Sequence, residues 1–224
     1  MTNPDSSPAA DTGGSSPPAP EALQLRRRPL QRRGQITFNR VLDSAEQILI
    51  EKGVLALTTN LIASRSGVNI SSIYKFFPNK HSVILALFER HLKIRIDHVR
   101  EAIDAIGTEP DWRGALDKAI GRSYEARQLT PATIVVLRAM LSSQELYEVD
   151  QAARKELALL FATALRRRIS IDDTHLMRIA RCMVETSIAL ANFWQSADGA
   201  NDPLIIVEAK RFATAYLSAY LDAD

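Results

Sequence analysis

Apolar residues recur every three or four positions through most of the chain from about residue 38 onward. This spacing places them on one face of an α-helix. No segment shows the strict alternation of apolar and polar residues that indicates a β-strand. The pattern therefore predicts an all-α protein. In the first helical segment, residues 38–52, the repeating apolar positions are Val41, Leu42, Ala45, Ile48 and Leu49.

Turn-forming residues divide the later pattern into separate helices. A long helix is predicted from Asn79 to about Ile106, with Gly107 ending it and Asp111 able to start the next helix. The buried stripe of the long helix is predicted to comprise Val83, Ile84, Leu87, Phe88, His91 and Ile94. Further breaks are expected at Thr130-Pro131, 142–145, 170–173 and 198–203.

Residues 58–80 read as two short helices separated by a tight turn. Gly67 can end the first helix in the left-handed conformation, and the side chain of Asn69 can cap the second. Such a helix-turn-helix buries one face of its second helix and presents the other face to a DNA major groove.

The outward face of that second helix follows from its inward residues. With Ile73 and Phe77 in the core, small hydroxyl-bearing and cationic residues are left outside. The residues expected on this outward face are Ser71, Ser72, Tyr74 and Lys75. Ile70 lies at the edge of the core stripe, so it is either buried or in contact with a thymine methyl group.

Further DNA contacts are predicted beside this helix. Lys80 stands at the first position of the long helix, where a cation opposes the helix macrodipole. A DNA phosphate bound by both Lys80 and the free N–H groups of that helix end would explain why a cation stands there. Thr58 or Thr59 caps the preceding helix, and Thr59 is expected to reach a phosphate. Asn60 contacts backbone or base, or is an ordinary surface residue.

A basic run precedes the first helix, with five arginines between Arg26 and Arg33. Residues 1–25 are rich in Pro, Ser, Ala and Gly and are expected to be disordered. The run, including Arg32 and Arg33, is predicted to form a flexible arm that follows phosphates or enters the minor groove. A solubilising linker is the alternative.

Composition and charge restrict the class of protein. The net charge over 224 residues is only +2, so any nucleic-acid footprint must be local. The single cysteine, Cys182, excludes a disulfide within one chain, suits the reducing cytoplasm and is expected to be buried. No signal peptide and no membrane-spanning apolar run are recognised.

No catalytic or metal site is predicted. The chain lacks a glycine-rich phosphate loop and a nucleophile elbow. The four histidines have no partners at metal-ligand spacing. We therefore expect neither an enzyme nor a cofactor. The histidines are His81, His91, His98 and His175.

Residues 38–87 resemble the DNA-binding domain of the TetR family of bacterial regulators. The residues that carry the resemblance are Val41, Leu42, Ala45, Gly53, Thr58, Thr59, Ile62, Ala63, Gly67, Val68, Ile73, Tyr74, Phe77 and Lys80. Composition and the basic run predict a disordered arm over 1–34. The resemblance implies a helix-turn-helix domain over 35–85 and a ligand-binding and dimerisation domain over 86–224.

The resemblance also places a homodimer contact on the last two long helices, as a four-helix interface. Both helices carry apolar stripes rich in small residues. The residues predicted to form the interface are Ile179, Met183, Ile188, Phe212, Tyr216 and Tyr220. A two-fold dimer would bind a palindromic operator.

A small-molecule effector is implied for the region from about residue 107. Its predicted contacts are polar or aromatic residues within apolar helices, and each of them could equally occupy an ordinary surface or interface position. They are Trp112, Tyr124, Arg138, Glu185, Asn192 and Trp194. A buried Glu185 needs a partner, and Arg138 is the predicted one.

The sequence thus predicts a dimeric DNA-binding transcriptional regulator, most simply a repressor released from its operator by a small molecule. The alternative is a helical binding or scaffold protein that does not recognise specific DNA. Exposed cations at Lys75 and Lys80 favour the regulator.

Overall fold

The computed structural model describes residues 23–222, in which nine helices and no β-strand occur. The all-α prediction is confirmed. Within these residues, every helix is too short or too polar to cross a membrane. The helices are α1 (Arg32–Ala56), α2 (Thr59–Ser66), α3 (Ile70–Tyr74), α4 (Lys80–Thr108), α5 (Trp112–Leu129), α6 (Thr133–Met140), α7 (Gln144–Leu165), α8 (Asp173–Trp194) and α9 (Pro203–Leu221).

Two apolar cores share helix α4. The N-terminal core joins α1–α3 and the first turns of α4 with α6 and Leu146 of α7. The C-terminal core joins the last turns of α4 with α5, α7, α8 and α9. Residues 83–88 of α4 belong to the first core and residues 99–106 to the second. Since α6 packs with α1–α3 and the first turns of α4, the N-terminal core extends beyond the predicted 35–85 segment.

Local capping fixes the helix-turn-helix as the sequence predicts. The Thr58 hydroxyl accepts a hydrogen bond from the Leu61 amide at 3.1 Å. Gly67 ends α2 with φ 64° and ψ 18°, in the left-handed region. The Asn69 side chain accepts from the Ser71 amide at 2.9 Å. Together these interactions set the angle between α2 and α3.

Helix α4 begins with a reciprocal cap. The Asn79 side chain accepts from the Ser82 amide at 3.0 Å, and the Ser82 hydroxyl contacts the Asn79 amide at 3.3 Å. This capping box satisfies amide groups at the helix start. The predicted role of Asn79 as a cap is confirmed.

The predicted end of the first helix at Gly53 is confirmed by the non-helical backbone of that residue (φ 73°, ψ 179°), and beyond this kink a short helical stretch continues to Ala56. The helix begins at Arg32, however, which is earlier than the predicted start at residue 38. Its first turns are polar and partly exposed, so apolar periodicity could not reveal them. Arginine nevertheless favours a helix over most residues.

Gly107 does not end α4, which continues to Thr108. A Cβ at Gly107 would lie 2.4 Å from the Ala164 carbonyl oxygen of α7. The glycine is therefore required by close helix packing, and its presence near a turn misled the prediction.

The outward stripe of α8 and α9 differs from the predicted one. Ile179, Met183 and Ile188 are buried in the subunit's own core. Cys182, expected to be buried, is exposed on the opposite side of α8. Periodicity identified an apolar helix but could not tell the inner stripe from the outer. Exposed residues on the outward stripe are Cys182, Ala189 and Phe193 of α8 and Leu204, Val207, Phe212, Ala215 and Ala219 of α9.

Gly67→Ala should lower the free energy of unfolding by about 1–2 kcal/mol, because alanine is strained in the left-handed region. Gly121→Ala is the matched control. Gly121 lies inside α5, and an added Cβ there meets nothing within 4 Å. The control should gain up to about 1 kcal/mol from helix propensity. Denaturant unfolding of both variants measures the difference; an equal response at the two sites would contradict this account of the turn.

Candidate nucleic-acid interface and internal cavity

The outward surface of α3, which we call the recognition face, comprises Ser71, Ser72, Tyr74 and Lys75. Ile73 beneath it is fully buried, whereas Ser71, Tyr74 and Lys75 are exposed. Ile70 packs partly buried at the edge of the N-terminal core. The face is polar and cationic, which suits a surface that approaches DNA bases and phosphates.

A side-chain hydrogen bond joins α2 to this face. The Thr59 hydroxyl and the Tyr74 hydroxyl lie 3.1 Å apart. Asn60, next to Thr59, is exposed. The bond holds two predicted DNA contacts in one fixed arrangement.

Lys80 lies half-buried at the first position of α4. The neighbouring His81 is half-buried, and this burial together with the Lys80 charge lowers the pKa of His81. Positive charge and a helix N-terminus therefore coincide at this point, as a phosphate site requires.

The predicted flexible arm is ordered over its described residues. Leu23 is buried in the N-terminal core, at 2% exposure. The Arg26 amide donates to the Phe76 carbonyl at 3.0 Å, and its guanidinium donates to the Tyr74 carbonyl at 3.1 Å. Arg28 pairs with Glu89 of α4 at 2.8 Å. The segment thus braces the end of α3, because a buried leucine anchors it.

Arg32 and Arg33 are exposed in the first turn of α1 rather than in an arm. Their predicted DNA contact remains a prediction. The prediction for residues 1–22 lies outside the described residues.

A cavity of about 760 Å³, including its opening to solvent, lies between α4, α5, α7 and α8. Its charged lining residues are two arginines, and no described Asp or Glu lines it. The lining comprises Arg95, Ile96, Val99, Ile103, Leu116, Ala119, Ile120, Ser123, Ala126, Arg127, Leu157, Phe161, Met183, Val184, Ser187, Ile188 and Ala191.

Arg127 is 2% exposed and has neutral partners. Its Nη1 donates to Asn192 Oδ1 at 2.8 Å and to Gln195 Oε1 at 2.9 Å. Burial, and then repulsion from Arg95, lower the pKa of Arg127 to about 9. Burial also lowers the pKa of Arg95 to about 10, against an opposing effect of the Asp150 carboxylate.

The predicted Glu185–Arg138 pair does not form. Glu185 instead pairs with Arg154 at 2.7 Å and with Arg181 at 2.6 Å. Arg154 also pairs with Asp150 at 2.7 Å. Arg138 is exposed on α6, beside the kink of α1. Arg181 could have been recognised as a partner from its i,i+4 spacing to Glu185, whereas Arg154 lies on another helix and could not.

The other predicted effector residues lie around the cavity rather than in its lining. Trp112 is buried at the start of α5, with the Arg113 guanidinium 4.5 Å from its ring centre. Tyr124 and Trp194 pack edge to face at 5.2 Å. The Tyr124 hydroxyl and Trp194 Nε1 are buried without a hydrogen-bond partner among the described residues. Asn192 contacts the cavity only through Arg127.

The sequence interpretation missed Arg95 and Arg127, the two charged lining residues. In the run around Arg95, Ile94 was expected inside, but Ile94 is exposed while Arg95 and Ile96 line the cavity. Arg127, in the last turn of α5, resembles any cation that complements a helix C-terminus. No sequence signal distinguishes either residue from a surface arginine.

Polar side chains form a seam between the two cores. His91 Nδ1 lies 3.2 Å from the Thr133 hydroxyl, and His91 Nε2 lies 3.4 Å from Glu46 of α1. The Thr133 hydroxyl donates to the Thr130 hydroxyl at 2.8 Å, which donates to the Ala126 carbonyl at 2.9 Å. The chain of contacts therefore runs from α5, beside Arg127, to α1.

Glu46 is held at the α1 end of this seam. The hydrogen bond with His91, and the charges of His91 and Arg90, lower the pKa of Glu46. Arg90 pairs with both Glu46 and Asp43 of α1. Helix α4 is thus attached to α1 by charged as well as apolar contacts.

Two family models match the chain. Residues 41–87 match the bacterial regulatory proteins of the tetR family, and residues 111–217 match the tetracyclin repressor-like C-terminal domain. Between them they include the helix-turn-helix and the cavity-forming helices α5 and α7–α8.

Individual relatives agree with these models. YvkB of Bacillus subtilis, an HTH-type transcriptional regulator, is 40% identical over 55 residues, which are 25% of this chain and 29% of that protein. The HTH-type transcriptional activator FasR of Mycolicibacterium smegmatis is 28% identical over 75% of this chain and 74% of its own.

The similarity to one solved structure covers nearly the whole of the other protein's chain. The crystal structure of a TetR-family transcriptional regulator from Streptomyces coelicolor is 30% identical, with a TM-score of 0.59. The match covers 83% of this chain and 99% of that one. The chain therefore belongs to the TetR family and is a helix-turn-helix, DNA-binding transcriptional regulator.

Proposed function

We propose that the protein is a homodimeric repressor that binds a palindromic operator and is released by a small molecule. The observation that supports DNA recognition most directly is the braced recognition face. Thr59 fixes Tyr74, and Arg26 holds the carbonyl end of α3. Ser71, Ser72 and Lys75 would approach bases, while Thr59, Asn60 and Lys80 would contact phosphates. The relative FasR is named a transcriptional activator, so activation is the alternative to repression.

The homodimer would form through the outward stripe of α8 and α9. Phe193 and Phe212 are large apolar side chains that are 49% and 50% exposed. Tyr216 and Tyr220 are half-buried beside the stripe and pack edge to face at 5.5 Å. Small residues between them would permit close approach of the partner's helices. This stripe replaces the predicted contacts of Ile179, Met183 and Ile188.

The cavity would hold the effector, and the polar seam would couple it to DNA. A ligand at Arg127 acts on the end of α5, from which Thr130, Thr133 and His91 lead to Glu46. A ligand can shift the DNA equilibrium only by binding one arrangement of these helices better than the other. The seam provides contacts that can differ between the two arrangements.

Replacing Tyr74 and Lys80 together by alanine should reduce operator affinity at least tenfold. It should also reduce the slope of log affinity against log salt concentration by about the value of one phosphate contact. Lys93→Ala is the charge-matched control, since Lys93 is exposed on α4 and pairs with Asp97 at 2.5 Å. Footprinting on DNA upstream of the protein's own gene, with circular dichroism for folding, measures the effect. Equal operator protection by the double variant and the wild type would contradict the proposed DNA surface.

A double replacement, Phe193→Glu with Phe212→Glu, should produce monomers at micromolar concentration, because it places four charges in each two-fold contact. Operator affinity should fall with it. Leu129→Glu serves as control, since Leu129 is 63% exposed at the end of α5, off the stripe. Sedimentation velocity gives the association state; a dimer that survives the double change would place the interface elsewhere.

Thr133→Val and Glu46→Gln should be energetically coupled through His91. Thr133→Val removes one hydrogen-bond partner of the imidazole and Glu46→Gln removes the charge of the other, so their effects on the free energy of unfolding should be non-additive by about 0.5–3 kcal/mol. Thr163→Val, paired with Glu46→Gln, is the control: the Thr163 hydroxyl bonds only within α7. That pair should add to within about 0.5 kcal/mol. If the free-energy effects were additive in both pairs of substitutions, the seam would not couple Thr133 to Glu46.

A further inference from the structure

We propose that the cavity binds an amphipathic anion, whose single acidic head group lies between Arg95 and Arg127 and whose apolar body extends into the cavity. The inference deepens the proposed function, because it treats this ligand as the effector. It names a ligand class from the chemistry of the lining.

The first argument is the sign of the charge. Two arginines line the cavity, and no described carboxylate lines it with them. A buried cation is costly unless an anion or several hydrogen bonds compensate it. Arg127 has two amide oxygens as partners, which bear no formal charge. The cavity therefore holds uncompensated positive charge, which favours an anionic ligand over a neutral or cationic one.

The nearby carboxylates are already engaged. Asp150 pairs with Arg154, and Glu185 pairs with Arg154 and Arg181. Asp150 acts on Arg95 electrostatically, but the Arg154 charge opposes that effect. Two arginines, Arg154 and Arg181, already balance these two acids, so Arg95 and Arg127 make the region as a whole cationic. Burial is the main cause of the lowered pKa of both Arg95 and Arg127, and repulsion from Arg95 lowers the pKa of Arg127 further.

The second argument is the geometry of the Arg127 side chain. Both of its side-chain hydrogen bonds leave from Nη1. No described residue accepts from Nε or Nη2, so this edge of the guanidinium is available to a ligand. A guanidinium edge matches a carboxylate or phosphate with two parallel hydrogen bonds. Asn192 and Gln195 hold the group in position before a ligand arrives, which reduces the entropy lost on binding.

The third argument is the apolar remainder of the lining. Beyond the arginines, Ser123 and Ser187 are the polar lining residues. The rest are aliphatic or aromatic, among them Phe161 on α7, and they would remove an alkyl or ring system from water. A small inorganic anion would leave this surface unfilled. The combination of charged end and apolar wall selects an anion that carries a sizeable apolar body.

Binding of three matched probes to the full-length dimer tests the inference. They are dodecanoate, dodecyl phosphate and dodecan-1-ol, which share one chain and differ in the head group. Isothermal titration calorimetry, below the micelle concentrations of the two anions and the solubility limit of the alcohol, should give at least tenfold tighter binding of one of the anions than of the alcohol. The tighter of the two anions identifies the head group as carboxylate or phosphate.

Variants assign the effect to the two arginines. Arg127→Gln should weaken binding of the anion about 10-fold to 100-fold, the value of a charged hydrogen bond, while leaving alcohol binding unchanged. Arg95→Gln should act in the same direction. Arg138→Gln removes an equal charge outside the cavity and should change neither affinity. This head-group difference separates a ligand contact from a general loss of folding, which would weaken all three probes together.

The inference is overturned if the alcohol binds as tightly as both anions, if Arg127→Gln weakens anion and alcohol equally, or if none of the probes binds the folded dimer. Operator binding is measured in a separate titration. Anion binding that leaves operator affinity unchanged supports the site and contradicts its role as effector site. Failure to bind any operator bears on the proposed function alone.

Discussion

Helix α4 is the constraint on which the other elements depend, because it is one continuous helix in two separate cores. Its first turns, residues 83–88, are buried among the DNA-binding helices and α6, and residues 99–106 are buried among α5 and α7–α9. Protein cores are close-packed, so neither end can shift without repacking its neighbours. A rearrangement of the helices around the cavity would therefore change how α4 packs in the N-terminal core.

The middle of α4 has a different character from its ends. There it presents Arg90, His91 and Arg95 to partners that are polar or charged, among them Glu46 and Thr133. Apolar residues at these positions would bury more area and avoid the desolvation of charge. A hydrogen-bonded seam has instead a few discrete arrangements, since each donor must find an acceptor. Such a seam stabilises the fold less than an apolar one would, but it allows two alternative packing arrangements of the helices to be close in free energy.

Local interactions were predictable from the sequence, and those that depend on tertiary packing were not. Gly67 and Asn79 act on their own and adjacent residues, so their turn and cap could be inferred from residue type and spacing alone. The inner and outer stripes of α8 could not be separated, because Met183 and Cys182 are adjacent and both suit an apolar surface. Arg95 was missed for the related reason that Ile94, the residue before it, continued the expected period of buried residues. What lies against a helix decides which of two neighbours is buried.

The recognition helix is only five residues long, so its position must be imposed by its surroundings. The N-terminal segment does this at one end through Arg26, and Thr59 does it from α2. The N-terminus of α4, with Lys80, follows directly. Lys80 and Arg95 are fifteen positions apart in one helix, a rise of about 22 Å. A tilt of α4 by about 5° about the cavity end would move Lys80 by about 2 Å on that length, enough to break a hydrogen bond to a phosphate. Under the proposed mechanism, a ligand at Arg95 would need to cause only a small rotation of α4 to change DNA affinity, because the length of the helix amplifies the displacement at Lys80.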